Sequence, residues 1–165
     1  MRSLISSILG LTVFLCAAAA AQTAPDRDDS DTKSWYVQAG AYTHFSDNEK
    51  YDDAPLFGGL ERHDGEKNTL IGFSMFNNSF GDFSQYVYWG KQWHPSKKLP
   101  AMRLKLTIGV VHGYEGEHQD VTPLYWGDAW GFGAVPTIGY QENRLGFDLA
   151  LLGDSGILFL LGYEF

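Results

Sequence analysis

The sequence predicts an all-β protein, an eight-stranded antiparallel transmembrane β-barrel of the bacterial outer membrane, and three observations predict it. The last segment alternates strictly, with Ile157, Phe159, Leu161, Tyr163 and Phe165 on one parity and Leu158, Leu160, Gly162 and Glu164 on the other. A period of two puts these sets on opposite faces of a strand, one face wholly apolar or aromatic. Such a strand, ending on Phe, suits lipid contact with aromatics at the interface. The second observation is an N-terminal segment that reads as an export signal. The third is composition: 15% aromatic residues and 19 glycines in alternating segments, with no second apolar run long enough for a helix across a bilayer. Closing a sheet in the membrane pairs every backbone group of such a chain.

Arg2 precedes an apolar run from Leu4 to Leu15, then Ala17 to Ala21, then Gln22. This is a short positive region, an apolar core and a small-residue cleavage site after Ala21. The run ends at Asp26, Asp28 and Asp29 and is too short for a transmembrane helix. Cys16 raises a lipoprotein signal, but Leu15 precedes it where a small residue is wanted, so lipidation is not expected. Cleavage removes the single cysteine and with it any disulfide or thiol chemistry. About 144 residues remain, one domain by length. Of 12 basic and 20 acidic residues only Arg2 is lost, so the mature chain carries a net charge of about −9, which argues against nucleic acid as a partner. Residues 22–33 are acidic and have no apolar stripe, an extended lead-in expected to be disordered, and the barrel occupies residues 34–165.

Trp35 to His44 places Tyr36, Gln38, Gly40, Tyr42 and His44 on one face. Met102 to Val111 alternates Met102, Leu104, Leu106, Ile108 and Val110 with Arg103, Lys105, Thr107, Gly109 and Val111. Leu145 to Leu152 alternates in the same way, and less regular runs cover 57–63, 69–76, 83–93 and 130–138. With the last strand these make eight, an even count with both ends in the periplasm. Asp64-Gly65, residues 94–100 and Gln141-Glu142-Asn143 become the periplasmic connections; residues 45–56, 77–81, 113–128 and 153–156 become the outer loops. Trp89, Trp93, Trp126 and Trp130 fall near strand ends, as interfacial girdles require. A soluble sandwich or lipocalin-like barrel would need a further layer over the outward Leu rows, and the chain has none to spare.

An eight-stranded barrel has room only for side chains or one small ligand. The inward set expected here includes Tyr36, Tyr42, Ser74, Tyr86, Tyr88 and Leu158 beside Gly72, Gly109, Gly131 and Gly133. Small residues beside aromatic ones leave apolar space that fits one extended acyl chain; the same glycines equally serve sheet curvature and close packing of rings. Arg103, Lys105, Asp148 and Glu164 lie towards strand ends and can form a polar network.

Thr43-His44-Phe45, Phe57-Gly58-Gly59-Leu60, Phe76-Asn77-Asn78-Ser79-Phe80 and Tyr88-Trp89-Gly90-Lys91-Gln92-Trp93 occur in that order and resemble the lipid A palmitoyltransferase family. The likeness continues loosely through Ala134-Val135-Pro136 to Phe165, covering most of the mature chain. It implies an eight-stranded barrel that moves a palmitate-like acyl chain from a phospholipid donor to lipid A, binding the donor chain in its lumen. It also implies His44 and Ser79 as catalytic residues, with Asn78 where the family has Asp, and Gly90 as the glycine at the lumen floor that sets chain length. Tyr42 and Tyr88, inward neighbours of His44 and Gly90, are then expected to line the chain. Asn78 can orient a histidine but cannot charge it, which leaves Asp47 or Asp82 as acidic substitutes. The family's N-terminal amphipathic helix has no counterpart in residues 22–33.

Acyl transfer between hydroxyls needs a base for the acceptor and donors for the oxyanion. His44, on the inward parity at the outer end of its strand, is the candidate base. Ser79 and the 77–81 backbone are candidate oxyanion or positioning groups, and a nucleophilic Ser79 stays open. The bland alternatives are a solvent-facing strand-end histidine and a tight turn rich in Asn, Ser and Gly. No cofactor is expected, because acyl exchange between esters and hydroxyls is nearly isoenergetic. His112 and His118 with Glu115, Glu117 and Asp120 show no recognised metal-ligand spacing, so no metal is expected. Expected partners are the phospholipid, lipid A and the bilayer, with the chain a monomer. Two other readings remain: a lipid A deacylase using a His and a Ser two residues apart, as in His44-Phe45-Ser46 or His94-Pro95-Ser96, and a non-catalytic barrel with a packed polar lumen.

Overall fold

The computed structural model describes residues 32–45, 56–114, 124–127 and 129–165. The signal segment, its cleavage site, nearly all of the lead-in, Ser46, Asp47 and the loop carrying Glu115, Glu117, His118 and Asp120 lie outside them. Every regular element described is a strand: β1 (Lys33–His44), β2 (Leu56–Asp64), β3 (Thr69–Asn77), β4 (Phe83–Trp93), β5 (Met102–His112), β6 (Leu124–Trp126), β7 (Trp130–Glu142), β8 (Leu145–Leu152) and β9 (Gly156–Glu164). β1 pairs with β2 on one side and with β9 on the other, all antiparallel. β5 pairs directly with β7, so eight strands close the barrel. The seam between first and last strands is completed by reciprocal bonds, Trp35 N–H to the Phe165 carbonyl at 2.9 Å and Phe165 N–H to the Trp35 carbonyl at 2.8 Å.

Two local features differ from the sequence expectation. β6 is an extra three-residue strand that folds back on the start of β7, Trp126 opposite Trp130, through a turn with Gly127 and Ala129 at positive φ. Gln141 and Glu142 belong to β7, and the turn is Asn143-Arg144, with Asn143 at φ 56°. Asn tolerates that left-handed conformation, so it and not the preceding pair takes the corner.

Burial alternates along the strands as the pattern demands. Outward residues such as Ile71, Val87, Leu106, Ile108 and Leu161 are 40–60% exposed, although they are apolar. In water this would be an apolar patch far larger than a soluble monomer carries. In hydrocarbon it is the face a barrel must present. Trp35 and Trp93 are exposed at the end bearing Lys33 and Phe165 (the proximal end), and Trp126 and Trp130 at the opposite, distal end, forming two aromatic girdles.

The proximal half of the lumen is filled by charge. Arg103 Nε and Nη2 hold the two carboxylate oxygens of Asp148 at 3.0 and 2.7 Å, a bidentate pair with side chains 1% and 0% exposed. Lys105 Nζ lies 3.3 Å from Asp148 and 3.4 Å from Glu61. Glu61 also meets His63 at 2.6 Å and accepts bonds from Gln38 and the Tyr88 hydroxyl. Arg103 further donates to the Tyr36 hydroxyl at 2.8 Å, and a Cβ at Gly162 would collide with the Tyr36 ring. Arg103, Lys105 and Asp148 thus form the expected network. Its central carboxylate is Glu61, while Glu164 bonds Gln141 at its edge.

Two substitutions test this account by urea unfolding of the protein in vesicles, followed by tryptophan fluorescence. Asp148→Ala leaves Arg103 and Lys105 short of a counter-charge and is expected to cost about 3–5 kcal/mol. Leu106→Arg, at the middle of β5 on the outward face, is expected to cost about 2–4 kcal/mol in a bilayer. A neutral Leu106→Arg would place that face in water.

Candidate functional site

Above the charged layer the lumen is open. A cavity of about 260 Å³ is walled by Tyr42, Phe57, Tyr86, Val111, Ala150 and Leu158, and it ends below on Gln38, Glu61, Tyr88, Lys105 and Thr107. Its walls come from two apolar clusters, Tyr42–Ala150–Leu158–Leu160 and Leu70–Tyr86–Tyr88–Val111, with Val135 packed against both. The Tyr86 and Tyr88 rings stack with centroids 4.7 Å apart. The space exists because β7 and β8 bring Gly133 and Ala150 inward opposite these rings. A Cβ at Gly133 would reach only the Tyr86 ring edge, at 3.3 Å.

At the distal rim, β1 and the β3–β4 turn bring Tyr42, His44 and Ser79 together. The Tyr42 hydroxyl lies 3.3 Å from Ser79 Oγ and from the Asn77 carbonyl. Its ring packs edge-on against the His44 ring, centroids 5.1 Å apart. Tyr42 therefore touches both residues, while Tyr42 and Ser79 line the cavity itself.

Asn78 is fully buried, and its side chain is committed to the turn. Oδ1 accepts the Phe80 and Asp82 N–H groups at 3.0 Å each, and Nδ2 donates to the Gly113 carbonyl at 2.9 Å. This is an Asx-type turn tied to the end of β5. An Asp here would lack the amide donor for Gly113, a physical reason for Asn at this position. Asp82 is exposed, contributing its backbone to the same turn.

Gly90 lies two residues below Tyr88 on β4 and does not line the cavity. A Cβ there would meet Thr107 at 2.9 Å, Leu70 at 3.0 Å and the Leu106 carbonyl at 3.1 Å, so the position is already packed. Tyr88 closes the cavity in its place. Tyr114, half-buried against the second cluster, lines the cavity from just beyond β5, and the packing of residues beyond a strand end leaves no periodic signal in the sequence. Of the other His–Ser spacing, Ser96 Oγ accepts the Lys98 N–H at 3.2 Å in a proximal turn.

Among the described residues, β7 and β8 pair over only part of their lengths. Their ladder begins at Thr137↔Ala150 and runs proximally. Distal to it, among the described residues, Gly133 to Pro136 pair with β5, and β6 pairs with Trp130 to Phe132. The cavity lining there includes Phe132, Gly133, Ala134 and Val135 of β7.

The sequence matches no protein-family model and no curated protein. Among solved structures, the crystal structure of the N-terminal β-barrel domain of Pseudomonas aeruginosa OprF is similar, with 11% identity and a TM-score of 0.45 over 80% of this chain and 97% of that one.

Gly133→Met projects a flexible apolar chain into the cavity at the cost of a small shift of the Tyr86 ring. Binding of a decyl-chain fluorescent probe is expected to fall at least tenfold while the unfolding midpoint in urea changes little. Unchanged probe binding would mean that the cavity is not where apolar chains go.

Proposed function

We propose that this chain is an outer-membrane acyltransferase that draws one acyl chain of a phospholipid into its lumen and passes it to a hydroxyl of lipid A. The observation that carries this reading is an apolar cavity whose rim holds a hydroxyl pair, Tyr42 and Ser79, with the His44 ring against Tyr42. His44 and Ser79 are also among the residues that carry the resemblance to the lipid A palmitoyltransferase family. An apolar, single-chain slot matches an acyl chain.

In this reading His44 takes the proton of the acceptor hydroxyl as its oxygen attacks the donor ester carbonyl. The turn held by Asn78 presents the Ser79 hydroxyl to the oxyanion. Collapse of the tetrahedral intermediate breaks the donor ester bond, and the imidazolium returns the proton to the departing lysophospholipid oxygen. One ester replaces another, so no cofactor is called for. A second reading is favoured by the charged layer closing the proximal lumen, as a non-catalytic barrel would be closed.

Mass spectrometry of lipid A from cells expressing the protein tests both. The expected result is a gain of one acyl group with the wild type, lost or reduced about 10²–10⁴-fold with His44→Ala, the usual effect of removing a general base. Loss of an acyl group would identify a deacylase. An unchanged spectrum in both strains would favour the non-catalytic barrel.

A further inference from the structure

An ester carried into this site needs more than one hydrogen-bond donor at its carbonyl. When a hydroxyl adds to the carbonyl carbon, the carbonyl oxygen becomes an oxyanion, and such an oxygen is stabilised by donors already in place. Ser79 is one. Tyr42 is occupied, because its single hydroxyl proton already has two acceptors at 3.3 Å, the Asn77 carbonyl and Ser79 Oγ. Another hydroxyl at the distal end of the cavity belongs to Tyr114, which lines it two residues beyond the end of β5.

The position of Tyr114 is tied to that of Ser79. Its ring packs against the Leu70–Tyr86–Tyr88–Val111 cluster. The chain turns towards that cluster at Gly113, where φ is 120° and a Cβ would strike the Phe83 carbonyl, so glycine is required. Both backbone groups of Gly113 are held. Its N–H donates to the Ala129 carbonyl at 3.0 Å, and its carbonyl accepts from Asn78 Nδ2 at 2.9 Å. Asn78 is thus bonded on one side to the turn that carries Ser79 and on the other to the residue before Tyr114. The Tyr114 hydroxyl itself has no hydrogen-bond partner among the described residues and is not closed off by its neighbours. Burial, and after it the neighbouring Tyr42 phenol, push its pKa up, so it stays a protonated donor.

We propose that Tyr114 is a catalytic residue whose hydroxyl, together with that of Ser79, donates a hydrogen bond to the donor ester's carbonyl oxygen as it becomes the oxyanion. The inference rests on the acyltransferase reading and adds a second oxyanion donor to it. Tyr114 keeps its proton throughout. The proton of the acceptor hydroxyl goes to His44 and from there to the lysophospholipid oxygen, so the phenol neither gains nor loses one. Its bond is strongest when the oxygen carries charge, which is the condition for speeding the reaction and not merely binding the substrate. The substrate class that follows is an ester. A chain linked through an ether has the same apolar tail and no carbonyl for Tyr114.

The test uses two short-chain glycerophospholipid analogues and the protein in alkyl glucoside micelles, which contain no ester. In one analogue a phosphonate replaces the ester carbonyl, giving a tetrahedral, negatively charged centre like the oxyanion intermediate. In the other an ether replaces the ester. Calorimetry gives the ratio of their dissociation constants for the wild type and for Tyr114→Phe, which keeps the ring and removes a hydroxyl that no described residue bonds. The expected preference for the phosphonate is about tenfold greater in the wild type, the effect of one charge-assisted hydrogen bond, with ether binding and the urea midpoint unchanged. The same variant is expected to lose about 10²–10³-fold in kcat for acyl transfer. An equal ratio in the two proteins, or an unchanged kcat, would overturn the assignment to Tyr114. Failure of the ether analogue to bind the wild type would instead overturn the acyl-slot reading on which it rests.

Discussion

A sheet in hydrocarbon can leave no edge unpaired, and that constraint governs the rest of this molecule. Each N–H or C=O left without a partner in the bilayer costs several kcal/mol. The constraint is met where Trp35 and Phe165 exchange two backbone bonds and where β1 and β9 run in register from Tyr36↔Glu164 to His44↔Gly156. Once eight strands close, the interior has a determined width, enough for side chains or one slender ligand. The outward parity has a single task, apolar contact. The inward parity is then where this chain's individuality lies.

That interior is divided by how each glycine is used. At Gly162 and Gly146 the missing side chains are filled by Tyr36, whose hydroxyl joins the Arg103–Asp148 pair. Gly72 receives the end of the Tyr88 ring. These glycines allow large polar-tipped rings to lie flat and pack the proximal half. At Gly133 the Tyr86 ring stops 3.3 Å from where a Cβ would lie, and with the small Ala150 on the neighbouring strand β8 the space stays open. The charged layer also needs what lies around it. Arg103, Lys105, Glu61 and Asp148 form two cations against two carboxylates, so burial leaves no net charge among them, and Tyr36, Tyr88 and Gln38 supply the remaining hydrogen bonds. A buried pair lacking such support would be a net cost to folding.

The strands with clean alternation, β5, β8 and β9, were legible because period two is a direct image of the pleat. The proximal charge layer was legible in part, since Arg103, Lys105 and Asp148 lie on those strands. Glu61 was not, because β2 mixes Gly58, Gly59 and Arg62 on both parities and its faces emerge only from pairing with β1. The rim meeting of Tyr42, His44 and Ser79 depends on the fold of the 77–81 turn, which residue spacing cannot report. Asn78 is the instructive residue. Its place in a motif points to chemistry, while its three hydrogen bonds point to the turn that presents Ser79. The depth of the lumen was equally hidden, since whether Gly90 or Tyr88 ends it depends on which neighbour across the barrel fills the glycine's space.

The same edge constraint bears on where two strands may part. The β7–β8 ladder stops at Thr137↔Ala150, next to Pro136, which has no N–H to offer a partner. On its other edge Pro136 still stands opposite Leu106 of β5, so β7 keeps its place in the wall where its ladder to β8 ends. A proline at that position therefore ends a ladder without leaving an N–H in need of a partner.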